Sequence, residues 1–254
     1  MTSSKGTVLV TGAGRRIGKA IALDLAAHGY QVAIHANQSG AEAEDVAASI
    51  RDAGGVAEVF IADLSDSAAV QQLHAEVSAS LGSPDIIVNN ASVFEDDDVR
   101  AFDEALFDRH FAIHLKAPVI LSEAMAASLP DGREGLIVNI IDQRVWKLTP
   151  RFFSYTLSKT ALWTATQTMA QALAPRIRVN AIGPGPTLAN ERQNADDFAR
   201  QAAAVPLGHG PDLAEFGATI RYLHEARSVT GQMIALDGGQ HLAWQTPDVT
   251  GVGE

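Results

Sequence analysis

The chain has 254 residues, 46% hydrophobic and 19% charged, which suffices for the buried core of one large α/β domain without a second. A formal charge of −11 with no basic cluster disfavours a nucleic-acid partner. With no cysteine there is no disulfide framework and no thiolate metal site, the cytoplasm is the simplest compartment, and neither a signal-peptide pattern nor a span of about 18 apolar residues supports secretion or membrane insertion. In chain order, short β-branched runs alternate with amphipathic stretches. Strands are expected at 7–10, 31–35, 56–61 and 85–88, with helices at 17–28, 41–52 and 68–81 between them. The second half continues with a helix near 102–128, a strand at 136–141, a long helix near 153–173, and strands at 178–181 and 233–236. This rhythm predicts a Rossmann-type doubly wound parallel sheet with helices on both faces, formed by one domain over 1–254. The stretch 183–210, with its Pro-Gly-Pro, reads as a lid over the carboxyl edge of the sheet, and 243–254 as a tail that is poorly ordered or packed on a partner.

Several motifs fall at that carboxyl edge. After the first strand, Thr11-Gly12-Ala13-Gly14-Arg15-Arg16-Ile17-Gly18 opens a helix whose free amides and dipole suit a pyrophosphate. Asp63 ends the third strand, where its carboxylate can accept from the exocyclic amine of adenine, and Leu64 follows it. Asn89-Asn90-Ala91-Ser92 follows the fourth strand. Asp142 ends the fifth, thirteen positions before Tyr155, and Tyr155 and Lys159 share one helical face. A tyrosine with a lysine one turn away suits proton transfer, the ammonium stabilising a tyrosinate and binding a ribose. No metal-ligand spacing is visible among the eight histidines.

Together Thr11-Gly12, Asp63-Leu64, Asn89-Asn90-Ala91, Tyr155-x-x-x-Lys159, Pro184-Gly185 and Asp237-Gly238-Gly239 resemble the short-chain dehydrogenase/reductase family over essentially the whole chain. The resemblance implies a bound NAD(P), with Tyr155 as proton donor and Lys159 on the nicotinamide ribose. It further implies Gly12, Arg15, Arg16, Ile17, Gly18, Asn90, Ala91, Pro184, Gly185 and Thr187 along the cofactor, and a homotetramer. The second strand ends in His35-Ala36-Asn37-Gln38-Ser39 with no carboxylate for ribose hydroxyls, which favours NADP(H). Arg15, Asn37 and Ser39 would surround a 2′-phosphate, while Gln38 stands where the resembling enzymes often have a basic residue.

Three departures narrow the resemblance. Arg16 stands where the family's loop usually has glycine, Asp142 where it has the catalytic serine, and His114 where many members have asparagine. With Phe94 after Asn-Ala-Ser, these residues look like the pteridine reductases and the bacterial dihydromonapterin reductases. An ionised Asp142 only accepts hydrogen bonds and repels a developing alkoxide, so a carbonyl substrate is disfavoured. A C=N bond in a pterin instead needs a proton on nitrogen, and an acceptor serves ring N–H and amino groups; the bland reading is that Asp142 caps the following turn. Arg16 is expected to direct its planar donors at pyrophosphate or substrate. Phe94 would sandwich the pterin against nicotinamide, and Ser92 corresponds to a hydroxyl directed at the pterin. For His114, a buried helix residue satisfied by a carbonyl is the simpler expectation. Trp146 and Arg151 either border the pocket or face a subunit neighbour.

The sequence therefore reads as an NADPH-dependent reductase taking a 7,8-dihydropterin to its tetrahydro form at the N5=C6 bond, with N5 protonated from water or by a relay; for a fully oxidised pterin, Tyr155, assisted by Asp142 and Lys159, is the expected proton donor in reduction of the C7=N8 bond. Dihydromonapterin is the best-fitting substrate class, with dihydrobiopterin and dihydrofolate as weaker ones. Its rivals are a short-chain reductase of a ketone, alcohol or other imine, and a nonenzymatic cofactor-binding sensor.

Overall fold

Three strands of the chain are largely apolar without alternation, and in the computed structural model, which describes residues 4–189, 194–244 and 250, they occupy the middle of the sheet. They are β1 (Thr7–Val10), β4 (Ile86–Asn89) and β5 (Gly135–Ile140), and every residue in them is buried. Continuous apolar runs of this kind mark strands covered on both faces. With β2 (Gln31–Ala36), β3 (Ala57–Ile61), β6 (Ile177–Pro184) and β7 (Met233–Leu236) they form a seven-stranded sheet in the order β3-β2-β1-β4-β5-β6-β7, parallel throughout. The order reverses between β1 and β4, which opens a crevice at their carboxyl ends.

One face is covered by α1 (Arg16–Ala27), α2 (Gly40–Asp52) and α8 (Leu213–Glu225), through Ile21, Leu25, Val46, Phe216 and Ile220. The other is covered by α3 (Ser67–Leu81), α5 (Ala117–Ser128) and α6 (Phe153–Ala172), through Leu73, Val77, Leu121, Met125 and Ala170.

The strands and the first three helices fall within a residue or two of their expected positions, except that β6 runs on to Pro184. Two helices go beyond the sequence reading. α8 carries a readable signal, a capping box between Asp212 and Glu215 followed by apolar positions Phe216, Ile220 and Leu223. α7 (Ala195–Ala203), capped by Asn194, lies inside the expected lid at 183–210, whose residues 190–193 fall outside those described. Most of the tail also falls outside them.

The expected single helix at 102–128 is α4 (Glu104–Phe111) joined to α5 by a wider turn at Ala112–Lys116. Pro118 has no N–H to return to the carbonyl of residue 114, and Ala117 N–H reaches back five residues to Ala112 O. That turn carries His114 into the interior, where it is 1% exposed. No helix among the described residues is long and apolar enough to cross a membrane.

Candidate active site

The glycine loop is held by two glycines and one asparagine. Gly12 has φ of +63°, and a Cβ there would lie 2.9 Å from the Cα of Ala91. At Gly18 a Cβ would come within 2.3 Å of Gly12 O and 2.5 Å of Asn90 Nδ2. Asn90, expected on the cofactor, directs its side-chain amide at Thr11 O (2.8 Å) and Gly12 O (3.1 Å), while its backbone N–H and that of Ala91 donate to Thr11 Oγ1. Its observed contacts thus shape the loop. On the other side Gly12 N–H donates to His35 Nδ1 (3.1 Å), which leaves His35 Nε2–H for Ala62 O (3.1 Å); burial pushes this imidazole toward its neutral form. Gly18→Ala is expected to push loop and strand apart, destabilising the fold by about 1–3 kcal/mol, and thermal melting read against wild type checks this.

The arrangement fits a dinucleotide. α1 has no acidic residue in its first turn to compete for the helix N-terminus. Ile17 packs on the core and the Leu64 side chain is buried, so the polar groups they offer are backbone ones. Asp63 engages Oδ1 with the backbone and hydroxyl of Ser65, which hold its pKa below the ordinary carboxylate value. Asn37 is exposed, Ser39 stands at the N-cap position of α2 without a capping bond from its side chain, and the exposed side chains of Arg15 and Glu42 lie 4.0 Å apart. At the other end, Gly185 N–H bonds Leu236 O and Thr187 Oγ1 donates to Gly185 O, fixing the strand exit next to Pro184.

Arg16 departs from expectation. Its backbone is left-handed, at φ of +53°, and its guanidinium grips the two carbonyls of Leu188 (3.1 Å) and Ala189 (2.7 Å). The donors expected to face pyrophosphate or substrate instead tie the glycine loop to the start of the lid.

Asp142 and Tyr155 meet. The Tyr155 hydroxyl donates to Asp142 Oδ2 at 3.0 Å, and Asp142 Oδ1 accepts from Arg144 N–H at 2.8 Å, so Asp142 both caps its turn and holds the tyrosine. Lys159 is buried with Nζ 5.8 Å from the Tyr155 ring centre, and donates to Ile140 O at 2.8 Å. Burial, and then the charge of Asp142, drive the Tyr155 phenol well above its usual pKa, while Arg144 and Ser92 ease it. Burial pushes the Lys159 ammonium down to about 8 against the pull of Asp142. It also raises the Asp142 carboxyl, opposed by Arg144, Tyr155 and Lys159. At neutral pH the phenol keeps its proton.

Phe94 stands edge-on to Tyr155, with ring centres 4.8 Å apart, but is stacked at 4.3 Å on Phe152. The ring expected to sandwich a ligand thus has an aromatic partner of its own. Arg144 caps the pair, its guanidinium 4.9 Å from Phe152 and 5.6 Å from Phe94. Arg151, one of the residues left between pocket and neighbour, pairs with Asp96. Trp146 packs edge-on to Trp163 and near His241.

Arg144 and Phe152 are the residues that sequence reasoning missed. Neither carries a local signal: Phe152 is left-handed at φ of +57° and sits at the head of α6. The acidic run after Phe94 supports it, with Asp96 accepting from Phe152 N–H and both oxygens of Asp97 from Ser154 N–H. Carboxylates at a helix N-terminus are favourable, and here they fix the first turn that carries Tyr155. Among the described residues no group of three or more His, Asp or Glu is placed to hold a metal.

The sequence model described as short chain dehydrogenase matches residues 6–199. Among solved structures, the chain is similar to FolM alternative dihydrofolate reductase 1 from Brucella canis complexed with NADP, at 62% identity and a TM-score of 0.95, covering 97% of this chain and 98% of that one. The FolM alternative dihydrofolate reductase 1 of Brucella suis, also in complex with NADP, gives 61% and 0.95, covering 97% and 99%. Among curated proteins, the 3-oxoacyl-[acyl-carrier-protein] reductase FabG of Staphylococcus epidermidis is 31% identical over 242 residues, 93% of this chain and 99% of the relative.

Proposed function

Because the chain belongs to the short-chain dehydrogenase family, we propose that it is an NADPH-dependent reductase of dihydropterins, acting on the N5=C6 bond of a 7,8-dihydropterin. The carrying observation is the Tyr155–Asp142 hydrogen bond, which puts a carboxylate beside the phenol at the end of β5. The resemblance of nearly the whole chain to alternative dihydrofolate reductases crystallised with NADP supports it.

The cofactor would lie along the loop of Gly12, Arg15, Arg16, Ile17 and Gly18, past Asn37, Ser39, Asp63, Leu64, Asn90 and Ala91, to Tyr155, Lys159, Pro184, Gly185 and Thr187. Bound NADPH supplies the hydride for C6. The residues of the chain supply the rest. Asp142 accepts from ring N–H or amino groups of the heterocycle while it orients Tyr155. Rotation of the phenol about its C–O bond moves no heavy atom and redirects its proton toward N5, directly or by relay. The Lys159 ammonium then stabilises the tyrosinate until solvent reprotonates it. Ser92 and Phe94 complete the substrate side, Phe94 by contact with the flat ring, and Arg16 holds the start of the lid beside it.

The similarity to a 3-oxoacyl reductase keeps a ketone substrate as the second reading. NADPH oxidation with 7,8-dihydromonapterin, 7,8-dihydrobiopterin, dihydrofolate and a ketone panel separates the two. Turnover of dihydropterins with silent ketones is expected; the reverse overturns the proposal. Phe94→Ala is expected to weaken dihydropterin binding by about tenfold, from loss of aromatic contact worth about 1 kcal/mol and its buried area, with NADPH affinity nearly unchanged. Equal losses of both in fluorescence titrations would remove the stacking role.

A further inference from the structure

His114 bridges the loop after β4 and the helix that carries Tyr155. Its Nε2 lies 3.0 Å from Val93 N–H and 3.0 Å from Ser92 Oγ; its Nδ1 lies 2.8 Å from Ser158 Oγ, which donates to Tyr155 O at 2.7 Å. The ring is stacked on His110, with centres 5.3 Å apart, and stands edge-on to Tyr155 at 5.4 Å. His110 bonds Ser154 in turn, so two histidines one turn apart grip two serines one turn apart on α6.

The tautomer follows from one backbone donor. Val93 N–H can only donate, so Nε2 carries a lone pair and the ring proton sits on Nδ1, directed at Ser158. Burial, then the charge on Lys159, drive the imidazole pKa well below its ordinary value and keep it neutral. The Ser92 hydroxyl, 3.0 Å from that nitrogen, therefore meets an acceptor there and not a donor. The other neighbours of that hydroxyl are acceptors too: Val93 O at 3.4 Å, and the phenol oxygen of Tyr155, whose own proton goes to Asp142.

We propose that His114 is a positioning residue that turns Ser92 into a hydrogen-bond acceptor, so that Ser92 and Asp142 together select a heterocycle presenting N–H or amino donors. This rests on the dihydropterin reading and deepens it. A ketone oxygen, itself an acceptor, finds no donor in either side chain.

The first test needs no substrate: long-range ¹⁵N–¹H correlation spectra of the full chain, with the His114 signals identified by their absence in His114→Gln. The neutral Nδ1–H tautomer across near-neutral pH is expected, and an Nε2–H tautomer or an imidazolium overturns the proposal. The second is Ser92→Ala, which leaves His114 with its Val93 donor. A rise in dihydropterin KM of about tenfold, with a smaller change in kcat and an unchanged KM for NADPH, is expected for one lost hydrogen bond. An unchanged KM overturns the selection role even if the tautomer is as expected. If no dihydropterin is turned over by wild type, the functional reading fails by itself, and titration of NADP-loaded protein with 7,8-dihydropterin takes the place of KM. Binding unaffected by Ser92→Ala, or no binding, then overturns the inference.

Discussion

Tyr155→Phe is expected to lower kcat for dihydropterin reduction by about a hundred- to ten-thousandfold, the usual range for losing a positioned general acid, while the NADPH dissociation constant stays close to wild type. The expectation rests on how little else the substitution removes. The ring keeps its edge contacts with Phe94, His110 and His114, and α6 keeps the Asp97 cap on its first turn. Only the hydroxyl goes, and with it the donor to Asp142 Oδ2. Steady-state rates with single-turnover hydride transfer check this, and a residual rate near wild type would mean that N5 draws its proton from another source. The pH dependence has a defined sign. Lys159 has its pKa lowered to about 8, so its ammonium is present below that pH and lost as pH rises through it. With the ammonium goes the charge that stabilises the tyrosinate, and wild-type kcat is expected to fall on the alkaline side of about 8.

Asp142→Ala is expected to lower kcat/KM for a dihydropterin by about a hundredfold, corresponding to about 2.7 kcal/mol for hydrogen bonds to a charged acceptor. Two functions are lost together: the acceptor for the heterocycle, and the carboxylate that holds the Tyr155 hydroxyl at 3.0 Å. Asp142→Ser separates charge from shape. A serine oxygen can still accept from Arg144 N–H and cap the turn, but it returns a donor to the place where the family has one. Dihydropterin turnover is therefore expected to fall and ketone turnover to appear or rise. Unchanged pterin kinetics in both variants would show that the carboxylate only caps the turn.

What the sequence disclosed follows the range of the interactions. Strands could be read because β1, β4 and β5 are largely apolar without alternation, and the meeting of Asp142 with Tyr155 followed from a strand end and a helix opening at one sheet edge. α8 had a local signal in its capping box, although no helix was expected there. The turn that buries His114 had a local cause in Pro118, although its consequence depends on Val93, Ser92 and Ser158 lying around it. Contacts between distant segments left no periodic trace. Arg16 grips carbonyls over 170 positions away, at Leu188 and Ala189. Asp96 and Asp97 cap a helix that begins at Phe153, and Arg144 covers the Phe94–Phe152 pair. Each depends on how the loops after β4, β5 and β6 converge, which no single segment encodes.

The most direct test of the central claim follows a labelled hydride. The chain is incubated with NADPH deuterated at the transferable C4 position and 7,8-dihydromonapterin, and the product is read by proton NMR and mass spectrometry. One deuterium at C6 of a tetrahydropterin is the expected result. Dihydropterin returned unlabelled, with deuterium instead on the carbinol carbon when a ketone is supplied, would contradict the assignment and place the chain among the carbonyl reductases.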